Sequence, residues 1–350
     1  MIAVIATLAV TVGVIYLVAS NDSGNDAAPP STSTTLSRRD KAVAEAARAW
    51  QKQVIAAFTP MVNAAPELIT GAREWLAGTR PADQFQQELD SHISRFASAR
   101  DDLGKIAPYA KAPSAIELFK AGAELYIEFA RVYRAAVVAP AGDVRTQLDV
   151  LARRIRELGD RVYDRGSAAM APFVHDDPLK DVDVRLPEEV PHWVAEGMAP
   201  GPPLDDPPPP AAESPPLRQA SRPEQESSAW SAAVRATDIP AATDVAAAID
   251  GGDGDTLRSV ARKLVDAAER LRSTPDPQRQ REKSAVTRLA LLVTADGARA
   301  AQAASLLDGE PAASLRDVAR RLSLIGDSLW PHDLGARQSG FDPALLRGNG

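Results

Sequence analysis

Half of the chain's 28 prolines fall between residues 172 and 223. Proline has no amide hydrogen to give, and its ring clashes with the preceding turn, so neither a packed helix nor a central strand passes through such a stretch. Residues 172–223, which include VPHWVAEGMAPGPPLDDPPPPAAESPPLRQASRP, therefore read as a semi-rigid, polyproline-type linker. One apolar patch in it, around Val190, Trp193, Val194 and Met198, suits docking on a neighbouring domain. What can fold lies on either side.

Both sides carry helical spacing. Residues 38–58 place Val43, Ala47, Trp50, Val54 and Phe58 on one face and Lys41, Glu45, Arg48 and Lys52 on the other. Pro60 is expected to kink or break this first helix, with a further helical stretch to about Gly78. A second helix over 81–106 turns Phe85, Leu89, Ile93, Phe96, Leu103 and Ile106 inward. A third covers 114–138. A fourth covers 143–170, with Asp143 as its N-cap. Beyond the linker the periodicity predicts helices over 225–249, 254–273, 277–307 and 311–330. Asp250-Gly-Gly-Asp-Gly-Asp255 lacks the ligand pattern of a calcium loop and reads as a turn capped by Asp255. The Gly-rich tail from Pro331 is expected to be disordered.

The two sides align with each other. Residues 151–163 read LARRIRELGDRVY and residues 318–330 read VARRLSLIGDSLW. Trp50, Val54 and Pro60 match Trp230, Val234 and Pro240; Leu89, Phe96 and Leu103 match Leu257, Leu264 and Leu271. On the third helix the alignment sets Phe119, Tyr126, Phe129 and Tyr133 against Val286, Val293, Asp296 and Ala300. Glycine inside a helix costs about 1 kcal/mol against alanine. Its presence at both Gly159 and Gly326 points to a close helix approach.

The N-terminus adds a compartment. Residues 2–19 carry no charge and span about 27 Å as a helix, close to a hydrocarbon core. They read as a membrane anchor, or as a signal segment cleaved before Asn21. The first basic residues, Arg38, Arg39 and Lys41, would by literal count hold the body in the cytoplasm. The Ser/Thr/Pro spacer with Asp22 and Asp26 favours the outside, which is the placement adopted. The expected architecture is thus all-α: anchor or signal 1–20, flexible spacer 21–37, first bundle 38–171, linker 172–223, second and smaller bundle 224–331, and tail 332–350. Each bundle is read as an antiparallel four-helix unit.

Chemistry is sparse in this sequence. The chain has no cysteine and four histidines, and its one Glu-x-x-His, Glu189 to His192, falls in the proline-rich stretch rather than as one of two inward helical pairs, so neither a metal nor a cofactor is expected. A net charge of −7 without a basic run argues against nucleic acid. No phosphate loop or nucleophile elbow occurs, and no catalysis is expected. His92, on the apolar seam of the second helix, and Phe119, Tyr126 and Tyr133 on the third are the candidates for a small-ligand pocket; the plainer reading is a filled core. Arg153, Arg154, Arg320 and Arg321 are candidates for contacting an acidic partner, or are simply a solvated face. Glu117, Lys120, Glu124, Glu128 and Arg131 are spaced as a polar helix face. Together these features describe a membrane-tethered protein-interaction or scaffold module of the cell envelope; the alternative is an extracytoplasmic sensory bundle that binds a small ligand.

Overall fold

A computed structural model describes residues 38–174, 223–273, 281–335 and 337–347. The expected anchor, the spacer and nearly all of the linker lie outside the described residues. Within them the backbone forms α-helix, two 3-10 turns and a single bridge between Tyr109 and Ala112, with no strand. The protein is all-α.

In the first block α1 runs Arg38–Leu76, α2 Ala82–Gly104, α3 Pro113–Val138 and α4 Asp143–Val174. In the second, α5 runs Pro223–Ala236, α6 Ala242–Gly251, α7 Gly254–Ser273, α8 Arg281–Ala304 and α9 Gly309–Leu329. No described helix is long and apolar enough to cross a membrane.

The break expected at Pro60 does not occur: α1 continues through both Pro60 and Pro66. Each proline loses one backbone hydrogen bond, and Phe58, Met61 and Leu68 beside them are almost wholly buried, so core packing offsets that loss. The matching Pro240 behaves differently. There α5 ends at Ala236, and α6 begins only at Ala242. The next turn is capped by Asp253 rather than Asp255. Its carboxylate accepts from Thr256 N at 3.0 Å and Asp255 N at 3.4 Å, while Gly252 takes a left-handed φ of 69°.

Helices of the first block meet through their rings. Trp75 stacks on Phe85 at 5.4 Å, Phe96 meets Tyr126 at 5.7 Å, and Phe58 meets Tyr163 at 4.4 Å. The paired glycines mark close approaches. A Cβ on Gly122 would lie 3.3 Å from the Gly159 carbonyl oxygen, and one on Gly326 would lie 3.0 Å from that of Ala290. These contacts also correct the alignment of α3 with α8. Gly159 faces Tyr126 and Gly326 faces Thr294, so the counterparts of Phe119, Tyr126, Phe129 and Tyr133 are Thr287, Thr294, Gly297 and Ala301. Each falls one residue later than the sequence alignment places it, because the connection to the fourth helix absorbs a residue.

The blocks dock on each other. α3 lies against α9 and α4 against α8, giving four central helices flanked by α1 and α2 on one side and by α6 and α7 on the other. One continuous apolar core runs through both blocks.

The tail is also ordered as far as it is described, against expectation. His332–Leu334 and Pro343–Leu346 form 3-10 turns, and Leu334, Phe341 and Leu346 pack on the core. The glycines that suggested disorder supply turns instead: Gly335 and Gly340 adopt φ of 100° and 80°.

Candidate functional site

The most concentrated polar chemistry lies where the blocks meet. Glu128 and Arg131 sit one turn apart on α3, and Asp296 and Arg299 sit at the matching positions of α8. Arg131 Nη1 donates to Glu128 Oε1 at 2.6 Å, and Arg299 Nη1 donates to Asp296 Oδ1 at 2.5 Å. Each carboxylate then receives a second arginine from the other block. Arg321 of α9 donates from Nε to Glu128 Oε1 at 2.9 Å. Arg154 of α4 donates from Nε to Asp296 Oδ1 at 3.2 Å. The two bonds are reciprocal, as a two-fold relation between the blocks requires.

The layer is deep. Glu128 is fully buried, and Asp296 and Arg299 nearly so. Arg154 is the most exposed member, with 26% of its side chain accessible. Glu128 Oε2 and Asp296 Oδ2 have no hydrogen-bond partner among the described residues. A guanidinium stays charged throughout the physiological range, so each carboxylate lies between two fixed cations.

Glu124 extends this layer one turn toward the start of α3. Its Oε1 lies 3.5 Å from Arg100 Nη1 of α2, and its Oε2 is buried without a partner. Burial pushes this carboxyl up to about 7, with Glu128 adding to the rise while Arg100 and Arg131 oppose it. Glu124 is thus a group of the layer that changes charge near neutrality.

The polar face read on α3 is only partly solvated. Glu117 and Lys120 form an open pair at 3.0 Å, but Glu124, Glu128 and Arg131 are buried, Glu124 beside Arg100 of α2 and Glu128 beside Arg321 of the second block. Periodicity marks a polar face without revealing that another polar face will cover it. The four candidate arginines all find their carboxylates within this chain. Arg153 pairs with Asp149 at 2.8 Å, Arg154 with Asp296, Arg320 with Asp250 and Asp317 at 3.0 Å each, and Arg321 with Glu128.

The pocket candidates lie within the core of the first block. The rings of Phe119, Phe58, Tyr126, Phe96 and His92 follow one another at 6.5, 6.0, 5.7 and 6.1 Å. The tyrosine hydroxyls turn away from that row toward α4. Tyr133 donates to Asp149 Oδ1 at 2.6 Å, and Tyr126 donates to Asp160. Burial, reinforced by those carboxylates, raises both phenols well above their ordinary range. His92 is 6% exposed, with Nδ1 unbonded among the described residues. Burial, and then Arg95, lower its pKa and favour the neutral ring.

Among the described residues no three histidine or acidic side chains converge as metal ligands. No family model, curated protein or solved structure matches this chain.

Proposed function

We propose that the protein is a non-catalytic helical scaffold, single-pass in the cell membrane through residues 2–19. Its body, two tandem antiparallel four-helix-bundle-like units, lies on the extracytoplasmic side and presents a fixed surface to a protein partner. The observation that carries this reading is the reciprocal buried ion layer between the blocks. Buried ion pairs add little net stability, yet they fix register, since a misplaced pair leaves a charge unpaired in the interior. A surface spanning two units serves a partner only if their placement is fixed. Val138, the last residue of α3, and Leu306, just past the end of α8, are 53% and 54% exposed at matching positions of the two units, and they offer a repeated apolar contact.

Photo-crosslinking amino acids at Val138 and Leu306 of the full chain, in cells, test this. A discrete protein adduct in the membrane fraction is expected. It should disappear in Glu128→Arg and return in Glu128→Arg/Arg321→Glu, which restores the cross-block pair with reversed sign. Adducts from neither position, or adducts indifferent to Glu128→Arg, would refute the scaffold. Because the chain has no cysteine, Ser228→Cys with a membrane-impermeant maleimide reports the side on which the body lies.

A second reading, a ligand-binding first unit, is favoured by the buried, unbonded Nδ1 of His92. It expects a metabolite that raises the melting temperature of wild type and not of His92→Leu.

A further inference from the structure

Residues 337–347 leave the end of α9 and reach the first block as a strap held in two halves. The near half is tied to the second block. Ser339 N donates to Asp327 Oδ2 at 2.6 Å. Arg337 lies over the Trp330 ring at 5.4 Å, and its Nη1 donates to the Pro240 carbonyl at 3.1 Å. The far half reaches the first block. Its 3-10 turn, Pro343–Leu346, lies against α9, and the Leu346 carbonyl accepts from Arg100 Nη1 of α2 at 2.7 Å. Gly340, with a φ of 80°, separates the halves.

Arg100 is held in place for this contact. Its Nε donates to Asp101 at 2.9 Å, and its Nη2 lies 2.8 Å from the same carboxylate. Nη1 carries two hydrogens, so it serves the Leu346 carbonyl while standing 3.5 Å from Glu124 Oε1. The helix pair itself does not require this arrangement. In the second block the matching pair, α7 and α8, packs with Ala268 in place of Arg100 and Leu292 in place of Glu124. The buried acid and its arginine therefore serve the strap rather than the bundle.

The strap in turn is lightly held. Of residues 337–347 only Ser339 is buried; Phe341, Leu345 and Leu346 are half-buried, and the rest of the far half is exposed. The turn also fixes its own shape. Pro343 sets φ at its first position, and Asp342 Oδ1 accepts from Ala344 N at 2.8 Å. A segment ordered in advance loses little entropy on docking. Apolar anchors together with a backbone hydrogen bond are how peptide-binding sites hold short segments.

We propose that α9 and Arg100 form a peptide-docking site for residues 341–347, and that the strap of a second copy of this chain fits it, with Gly340 as the hinge of the exchange. Each copy brings one strap and one site, so the contact joins copies head to tail. In a dilute chain its own strap prevails, since a tethered partner acts at roughly millimolar effective concentration. Crowding of copies shifts the site toward a neighbour's strap. This contact is separate from the Val138 and Leu306 surface and stands whether or not that surface binds a partner.

The test uses full-length chains purified in detergent. Phe341→Ser/Leu346→Ser removes the anchors of the resident strap and leaves the site open. A fluorescent peptide of residues 340–347 should bind this variant saturably, and wild type at least about tenfold more weakly, because the resident strap competes. Adding Arg100→Met to the variant should weaken the peptide by about tenfold or more while far-UV dichroism stays helical. Arg100→Met alone keeps its strap and loses the arginine. Mixed with Phe341→Ser/Leu346→Ser above the peptide's dissociation constant, it should form a one-to-one dimer in sedimentation, and excess peptide should dissolve that dimer. No binding of the peptide up to about 1 mM, or equal binding with and without Arg100, would overturn the site. Peptide binding without a mixed dimer would overturn the second copy as its occupant.

Discussion

Replacing the members of the Glu128 triad one at a time should give costs that follow burial rather than the number of bonds lost. Removing one partner of a buried pair costs about 3–5 kcal/mol, because the other charge is left in the interior. Glu128→Met removes the carboxylate shared by two buried cations, since the side chains of Arg131 and Arg321 are only 3% and 7% exposed. It belongs near 5 kcal/mol, at the top of that range. Arg321→Met leaves Glu128 still bonded to Arg131 and belongs near its foot, at about 3 kcal/mol. The matching Arg154→Met removes a side chain that is 26% exposed, where water screens the pair, and should cost about 1 kcal/mol or less. Replacing all of Glu128, Arg131 and Arg321 with methionine removes these charges together and should recover most of the Glu128→Met loss. Urea denaturation followed by helical circular dichroism reads all four. The slopes must stay constant for the midpoints to be comparable. The reasoning fails if Arg154→Met costs as much as Arg321→Met, or if the triple variant is as unstable as Glu128→Met.

Two further outcomes follow from single sites. The Glu124 carboxyl is raised from 4.5 to about 7, so the folded state holds a proton that the unfolded chain has lost. Its stability contribution is therefore complete below about 4.5 and lost as pH rises through about 7. Relative to wild type, Glu124→Gln should be near neutral at low pH and more stable above pH 8 by up to roughly 3 kcal/mol; a wild-type-minus-variant difference that stays level with pH counts against the buried acid. Gly326→Ala places a Cβ 3.0 Å from the Ala290 carbonyl and also against Thr294, so it should cost about 1–3 kcal/mol. Gly104→Ala, with nothing within 4 Å, should be neutral or slightly stabilising in the same urea assay, and equal costs at the two sites would discount the close approach.

The helices were legible because a 3.6-residue period is local information. Phe85, Leu89, Phe96 and Leu103 line α2 and are buried as the spacing predicts. Gly159 and Gly326 also declared themselves, since glycine inside a helix requires a reason. Apart from the cap at Asp253, the misreadings involve partners distant in sequence. Glu128 and Arg131 form a sound solvated pair on an isolated helix; only the arrival of Arg321, 193 residues away, buries them. Prolines 60 and 240 are equivalent in sequence, yet one lies inside a helix and the other in a gap, because tertiary packing decides whether the lost hydrogen bond is tolerated. The tail looked disordered because its glycines were visible and its anchoring site on Arg100 was not.

The two blocks also separate what docking needs from what it does not. Glu128 and Arg131 recur as Asp296 and Arg299, and Arg154 recurs as Arg321; these are the groups that cross between blocks. The aromatic row of the first block does not recur: Phe119, Tyr126 and Tyr133 correspond to Thr287, Thr294 and Ala301 in the second. Glu124 belongs to this second set. In the register fixed by the paired glycines, its place on α8 is taken by Leu292, which packs against the core. A leucine satisfies the same position in the same kind of helix pair. Packing therefore does not demand a carboxyl there, and a buried acid is costly wherever an apolar residue fits. Glu124 differs from Leu292 in having Arg100 and the strap beside it, so the justification for its charge lies in that contact rather than in the core.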